Sequence, residues 1–466
     1  LLCGYFFYSR YVERVFGADY SRPTPALSMP DGVDYIPMPW WKVFLIQFLN
    51  IAGLGPIFGA ISGAMWGQVA YLWIVLGAIL AGAVHDYFSG MLSIRHNGLS
   101  ITEIIGIYMG NGAKQFIRVF TIFLMIMVGA VFVVGPAKIL SGLTPNFGGM
   151  TFWIWIVFIY YMLATLLPID KIIGRFYPLF GVALLFMAVS VIIALFVKGY
   201  HIPELTFTTM KNFHIGAQKF PIFPMLFITI ACGAISGFHA TQSPMMARCI
   251  TNEQQGRKVF YGAMVTEAFV AIIWATISMS FFGGIDELNE IMTEQKGNAA
   301  WVVNEIANSL LGKSGAVLAL LGVVAAPITS GDTAFRSARL IVSDFTNLKQ
   351  EKIRNRLIIS IPLFAIGFLI TQIDFDIIWR YFAWANQTLA TLVLWTISVY
   401  LVKNKKNYWI TLIPALFMTV VVTTYILLAP EGFSLSKTIS CIAGMVTMLI
   451  AGVMFFLYKS KLQKTV

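Results

Sequence analysis

Apolar residues in this chain run in long stretches separated by short polar connections, at about residues 43–66, 69–94, 116–140, 151–167, 177–198, 222–247, 259–282, 315–342, 357–371, 377–401, 408–429 and 438–458. A helix needs about 20 predominantly apolar residues to cross the hydrocarbon of a bilayer, so the pattern predicts roughly twelve membrane-spanning helices in an all-α polytopic protein. Ahead of them Leu1 to Tyr8 is apolar but too short to span, and reads as the remnant of a truncated extra helix. A polar, Pro-rich connection follows, Arg10 to Trp40.

Two of the stretches are interrupted. CGAISGFHATQSP, Cys232 to Pro244, breaks the sixth with Gly233 and Gly237, which permit unusual backbone angles, and Pro244, which lacks a donor. It fills the break with Ser236, His239, Thr241, Gln242 and Ser243. NIAGLGPIFGA, Asn50 to Ala60, repeats the theme in the first stretch with Asn50, Gly53, Gly55, Pro56 and Gly59. In hydrocarbon an unpaired backbone N–H or C=O costs several kcal/mol, so unwound backbone at membrane depth must line a cavity or be covered by protein. Taken singly, the later break also fits a kinked helix in a packed bundle, with His239 a core histidine. The pair points further, because interrupted helices in corresponding positions of two halves are how secondary transporters build a midplane site. The first and sixth stretches cross in opposite directions. They predict two inverted five-helix repeats within 41–200 and 221–401, joined by an extracytoplasmic loop at 201–220. The remnant and connection occupy 1–40, and two peripheral helices with a basic tail occupy 402–466.

Composition agrees: of 466 residues, 58% are hydrophobic and 11% charged, and mean hydropathy is +0.79, too apolar for a soluble globular protein. The net charge of +11 is spread over short connections rather than gathered on one surface, which excludes nucleic acid as the natural partner. Alternating the sides from a cytoplasmic first connection places Arg95, Lys114, Arg118, Arg248, Arg257, Lys258, Lys349, Lys352, Arg354 and Arg356 inside, and the acidic run Asp286, Glu287, Glu290 and Glu294 outside. That asymmetry puts the N-terminal connection and the C-terminus in the cytoplasm. The four cysteines have no metal-ligand spacing and read as small packing residues.

Ionisable groups within a span cost at least about 2.5 kcal/mol at its centre and call for a partner or a role. Glu267 is a proton carrier or half of an ion pair. Asp86, next to His85, is a second carboxylate, or a partner for a cytoplasmic arginine. Asp332 sits among Thr329, Ser330 and Thr333, where hydroxyls beside carbonyls around Ala52 and Gly53 would make a sodium site, and where a carboxylate next to Arg336 could instead take a proton. Asn386 and Gln387 enter the tenth span beside Arg380, which binds a carboxylate or snorkels to the interface. His239 titrates near neutral pH and could couple a proton to the broken helix.

The segments NIAGLGPI, AGAVHDY with IRHNGLS, CGAISGFHATQSPMMAR, ITSGDTAFRSARLIVSD and YFAWANQTLA together resemble the carbon starvation CstA family. The resemblance implies a bacterial inner-membrane protein of the amino acid–polyamine–organocation superfamily with a LeuT-like core, importing peptides or pyruvate under nutrient limitation, driven by protons. The chain is much shorter than the largest members, so its substrate need not be theirs. Substrate would lie between the broken helices, oriented by Asn50, Ser236, Thr241 and Gln242 and by the half-helix ends around Gly53, Gly55, Gly233 and Gly237, with Asp332 or Glu267 carrying the proton. Its partners would be membrane lipid, a small carboxylate or peptide, and protons or sodium. No cofactor and no covalent chemistry are implied. A sodium symporter and a membrane nutrient sensor are the alternatives. A membrane enzyme would rest on His85 and Asp86 alone.

Overall fold

The computed structural model describes residues 1–144, 146–166, 169–346, 348, 350 and 352–464, without the side chains of 165, 166, 169–174, 313–321, 376 and 464. Lys349 lies outside the described residues. Among those described, every regular element is helical. In an apolar surrounding only a helix pairs all of its backbone groups within one segment.

The elements in order are α1 (Ser9–Phe16), α2 (Trp40–Ala52), α3 (Gly55–Ala64), α4 (Val69–Arg95), α5 (Ile101–Met109), α6 (Asn111–Leu143), α7 (Gly149–Leu166) and α8 (Ile169–Val197). After a loop and short helical turns at Ile222–Leu226 and Phe227–Thr229 come α9 (Gly237–Ala247), α10 (Glu253–Phe281), α11 (Ile285–Glu294) and α12 (Ala299–Ala319). The chain ends with α13 (Ala325–Thr346), α14 (Ile353–Ile370), α15 (Phe375–Lys403), α16 (Trp409–Leu428) and α17 (Lys437–Lys464).

Each stretch expected to span is helical or broken-helical, yet only eight of the described helices are long and apolar enough to cross a membrane by themselves, nine with α2 and α3, which bend by 53° at Gly53 and Leu54. The remainder differ for physical reasons. α9 and the turns before it are separated by the non-helical run 230–236. α13 carries Asp332, Arg336 and Arg339, all buried, because it is enclosed by α2, α6 and α14 and has little need of an apolar exterior. α7 is short, and its lipid-type face is apolar: Trp155, Ile159 and Leu163 are all exposed.

The expected remnant is longer than the apolar pattern suggests, since helix continues from Leu2 through Phe16 and includes Arg10 and Arg14. α1 is amphipathic, burying Val12 and Phe16 while Arg10 and Arg14 are exposed and Glu13 pairs with Arg257 at 3.0 Å. α5, α11 and the start of α12 likewise turn expected connections into helices. α13 packs on α6 and α2, α9 packs on α4 and α15, and α16 and α17 pack against each other and α15 at the edge of the bundle.

Candidate substrate and coupling site

The two breaks touch. A Cβ on Gly55 would stand 2.1 Å from the Cβ of Cys232, so the start of α3 and the unwound run before α9 approach as closely as glycine allows. Gly233, at φ +91°, reaches a left-handed angle that few other residues adopt, and a Cβ there would strike Ala271 at 2.6 Å.

Helix ends leave N–H and C=O groups without intrahelical partners, and α15 supplies partners to both sides of the later break. Asn386 Oδ1 accepts from the Phe238 N–H at 2.6 Å, and Asn386 Nδ2 donates to Ser236 Oγ at 2.9 Å, capping α9. Gln387 Nε2 donates to the Phe227 carbonyl at 3.2 Å on the other side. Within α9, Thr241 donates to the Phe238 carbonyl at 2.6 Å, and Gln242 Nε2 donates to Thr241 Oγ1 at 2.9 Å. Asn386, Gln387, Ser236 and Thr241 thus already serve to hold the break open.

Three spans bring their ionisable groups together at this level. Asp86 on α4 places one carboxylate oxygen 2.8 Å from His85 Nδ1 and the other 2.8 Å from His239 Nδ1 on α9. His239 Nε2 then faces Glu267 Oε2 on α10 at 3.4 Å. All four side chains are fully buried. Aspartate, histidine and glutamate in line form an acid–base series in which imidazole can take a proton at one nitrogen and release it at the other. Cys232 joins at the edge: its Sγ, a His239 nitrogen and a Glu267 oxygen lie within 4.8 Å of one another, a donor set that a borderline divalent cation accepts, although zinc sites closed by protein use four ligands. Reading Cys232 as packing misses this position, and its spacing from His239 and Glu267 carries no signal.

Among the described residues Asp86 meets two histidines rather than a cytoplasmic arginine. Arg95 pairs with Glu253, with Nε and Nη2 at 2.5 and 2.8 Å from its carboxylate. Asp332 lies apart from the histidines, accepting from the Tyr177 hydroxyl at 2.7 Å, while Arg336 reaches Asp34 at 3.5 Å and the Ala164 carbonyl at 3.2 Å. Neither Tyr177 nor Asp34 is marked in the sequence, one lying in an apolar run and the other in a loop. Arg380 is about half exposed and faces Glu431 at 3.7 Å.

Around the expected sodium ligands, Ser330 Oγ donates to the Leu49 carbonyl at 3.1 Å, tying α13 to α2 just before Ala52 and Gly53. Thr329 and Thr333 donate to carbonyls of their own helix at 2.7 and 3.0 Å.

Several buried polar atoms here make no hydrogen bond to a described residue: both amide atoms of Asn50, Gln242 Oε1, Gln387 Oε1 and Asp332 Oδ1. Each such group costs about 1–3 kcal/mol unless something satisfies it. Asn50, next to the first break, is the one whose whole amide is in that state.

The family described as "Carbon starvation protein CstA" matches the chain over residues 1–146, 146–318 and 297–425. An uncharacterized membrane protein of Haemophilus influenzae is 43% identical over 63% of this chain and 92% of its own length. The pyruvate/proton symporter BtsT of Escherichia coli is 30% identical over 58% of this chain and 46% of its own, and the peptide transporter CstA of the same organism is 25% identical over 91% and 78%. Among solved structures, a Na+-coupled sialic acid symporter superposes with a TM-score of 0.58 at 14% identity, covering 98% of this chain and 97% of its own. MhsT in complex with L-phenylalanine gives 0.56 at 12% identity, covering 89% and 97%. Those likenesses show the LeuT-like helical fold.

Proposed function

The chain belongs to the carbon starvation CstA family, and from that premise we propose that it is a secondary active transporter of the bacterial inner membrane that imports pyruvate or short peptides by proton symport when carbon is scarce. The observation that carries the coupling is the Asp86–His239–Glu267 series, since its central member sits on the half-helix α9 and its outer members on two other spans. Moving a proton along it changes how firmly α9 is held to α4 and α10. That is the requirement for linking protonation to the opening of a broken helix.

Substrate would bind where the breaks meet. Its carboxylate would draw on the partial positive charge of a half-helix N-terminus, and the Asn50 amide would find there the partner it lacks. Within this reading 41–200 and 221–401 are the repeats that rock against each other, with the 18–39 connection and the C-terminus cytoplasmic. The work is binding and movement, with no covalent step.

The test is uptake of labelled pyruvate and of a labelled dipeptide into proteoliposomes, under an imposed proton gradient and separately under a sodium gradient alone. Proton-driven accumulation of either substrate in sodium-free buffer is expected. Accumulation that requires sodium would overturn the coupling and turn attention to Thr329, Ser330 and Thr333.

A further inference from the structure

The last two helices frame a second site, away from the breaks. Where α15 ends and α16 begins, a cavity of about 600 Å3 is lined by Lys403, Lys405, Lys406 and Lys459, with Val402, Tyr408, Leu462 and Gln463. None of these described lining residues is acidic. Lys406 is engaged with the Phe16 carbonyl, and Lys459 Nζ donates to the Tyr408 hydroxyl at 2.8 Å. Lys403 and Lys405 are exposed.

One turn further along the same helices lies a second cavity of about 490 Å3 between α15, α16 and α17, whose walls include Trp395, Val399, Ala451, Met454, Phe455 and Tyr458. Val399 and Lys403 are four residues apart on α15, about 6 Å along the axis, and Tyr458 precedes Lys459 on α17. A cationic cup and an apolar groove therefore follow one another along α15 and α17. The groove adjoins a surface that carries Leu449, Met454 and Leu457 exposed to at least 60%, apolar in the manner of a lipid-facing helix.

We propose that this pair of cavities is a binding site for an anionic phospholipid, its phosphate among Lys403, Lys405 and Lys459 and one acyl chain in the groove between α15 and α17. Basic pockets between spans on the cytoplasmic side suit such headgroups. General positive charge at a membrane face would account for the lysines, but not for an apolar groove aligned with them. The lipid would fasten the peripheral pair to α15, the helix whose Asn386 and Gln387 clasp the break. The inference does not depend on what is transported.

The full-length protein, purified in neutral detergent, would be melted and examined by native mass spectrometry with phosphatidylglycerol, with phosphatidylcholine of the same chains, and with inorganic phosphate. Phosphatidylglycerol is expected to raise the melting temperature and to be retained. Phosphatidylcholine and phosphate are expected to do neither. Each lysine removed should weaken retention by about fivefold, so combined Lys403→Gln, Lys405→Gln and Lys459→Gln should lose about a hundredfold. If that variant fails to fold, exposed Lys405→Gln alone reads out the fivefold step. Ala451→Phe, which fills the groove and leaves the lysines, should also lose the lipid. Equal retention of phosphatidylcholine, equal stabilisation by phosphate alone, or unchanged retention after either kind of substitution would overturn the site.

Discussion

Glu267 carries a carboxylate into the middle of a span, with one oxygen 3.4 Å from His239 and the Gly233 backbone beside it. Its amide isostere keeps the shape and removes the exchangeable charge. Glu267→Gln is therefore expected to reduce proton-driven accumulation at least about tenfold, a loss of about 1.4 kcal/mol of coupling, while exchange of labelled for unlabelled substrate continues with no gradient. Comparing the two assays in the same liposomes separates coupling from binding, and full accumulation by the variant would take Glu267 out of the proton path. Asn386 works differently, as a cap rather than a carrier. Asn386→Leu strands the Phe238 N–H and the Ser236 hydroxyl, and should lower stability by about 1–2 kcal/mol, seen as a lower melting temperature in detergent. An unchanged melting temperature would mean that α9 finds another cap.

Between the elements, closeness at the breaks does what side chains do elsewhere. Gly55→Ala would press a methyl into Cys232, costing about 1–3 kcal/mol by overpacking, whereas Cys232→Gly in the same chain removes the obstacle. The double variant should regain most of the stability and uptake lost by the single one, and a double variant as impaired as Gly55→Ala would show that the strain lies elsewhere. The breaks themselves were legible in the sequence, since Gly and Pro among polar residues weaken an unbroken helix where an apolar run would otherwise continue it. So were the eight helices that are long and apolar enough to span by themselves, because burial in lipid writes itself as long apolar stretches, though roughly twelve spans were expected. The meeting of Asp86, His239 and Glu267 was not. Each was visible as a costly charge, but which charges face one another depends on how three helices rotate and cross, and no local pattern records that. The same limit hid Tyr177 beside Asp332, and Cys232, whose chemistry is indistinguishable from packing until its neighbours are known. The polar helix α13 was legible by its charges, yet only its enclosure by α2, α6 and α14 explains why a span may carry them.

At the scale of the whole molecule, one loop carboxylate faces four arginines from three parts of the chain. Asp31 accepts the N–H groups of Val33, Asp34 and Tyr35 at 2.8, 2.9 and 2.8 Å and so fixes the turn that directs Asp34 inward. There it meets Arg336, with Arg339 on the same helix, Arg248 after α9 and Arg356 on α14 around it. The connection is also stitched to the chain following α9, through Met38 N–H to the Cys249 carbonyl at 3.0 Å and Thr24 to the Ile250 carbonyl at 2.6 Å. Any movement of the half-helix that bears His239 must therefore carry this closure with it or break it. Burial by itself would raise the Asp34 pKa, but Arg339, Arg336, Arg248 and Arg356 outweigh it and hold the carboxyl below its ordinary 3.8. A depressed carboxylate stabilises the fold above the unfolded pKa, and that contribution fades as pH falls through the folded value. Asp34→Asn should thus cost on the order of 3 kcal/mol near neutral pH, as expected when one partner of a buried pair is removed. The gap in melting temperature between wild type and variant should hold from neutral pH down to about pH 4 and narrow below it. A gap that is absent at neutral pH, or that widens toward acid, would show that the arginines do not depend on Asp34 and that this end of the bundle is closed by other contacts.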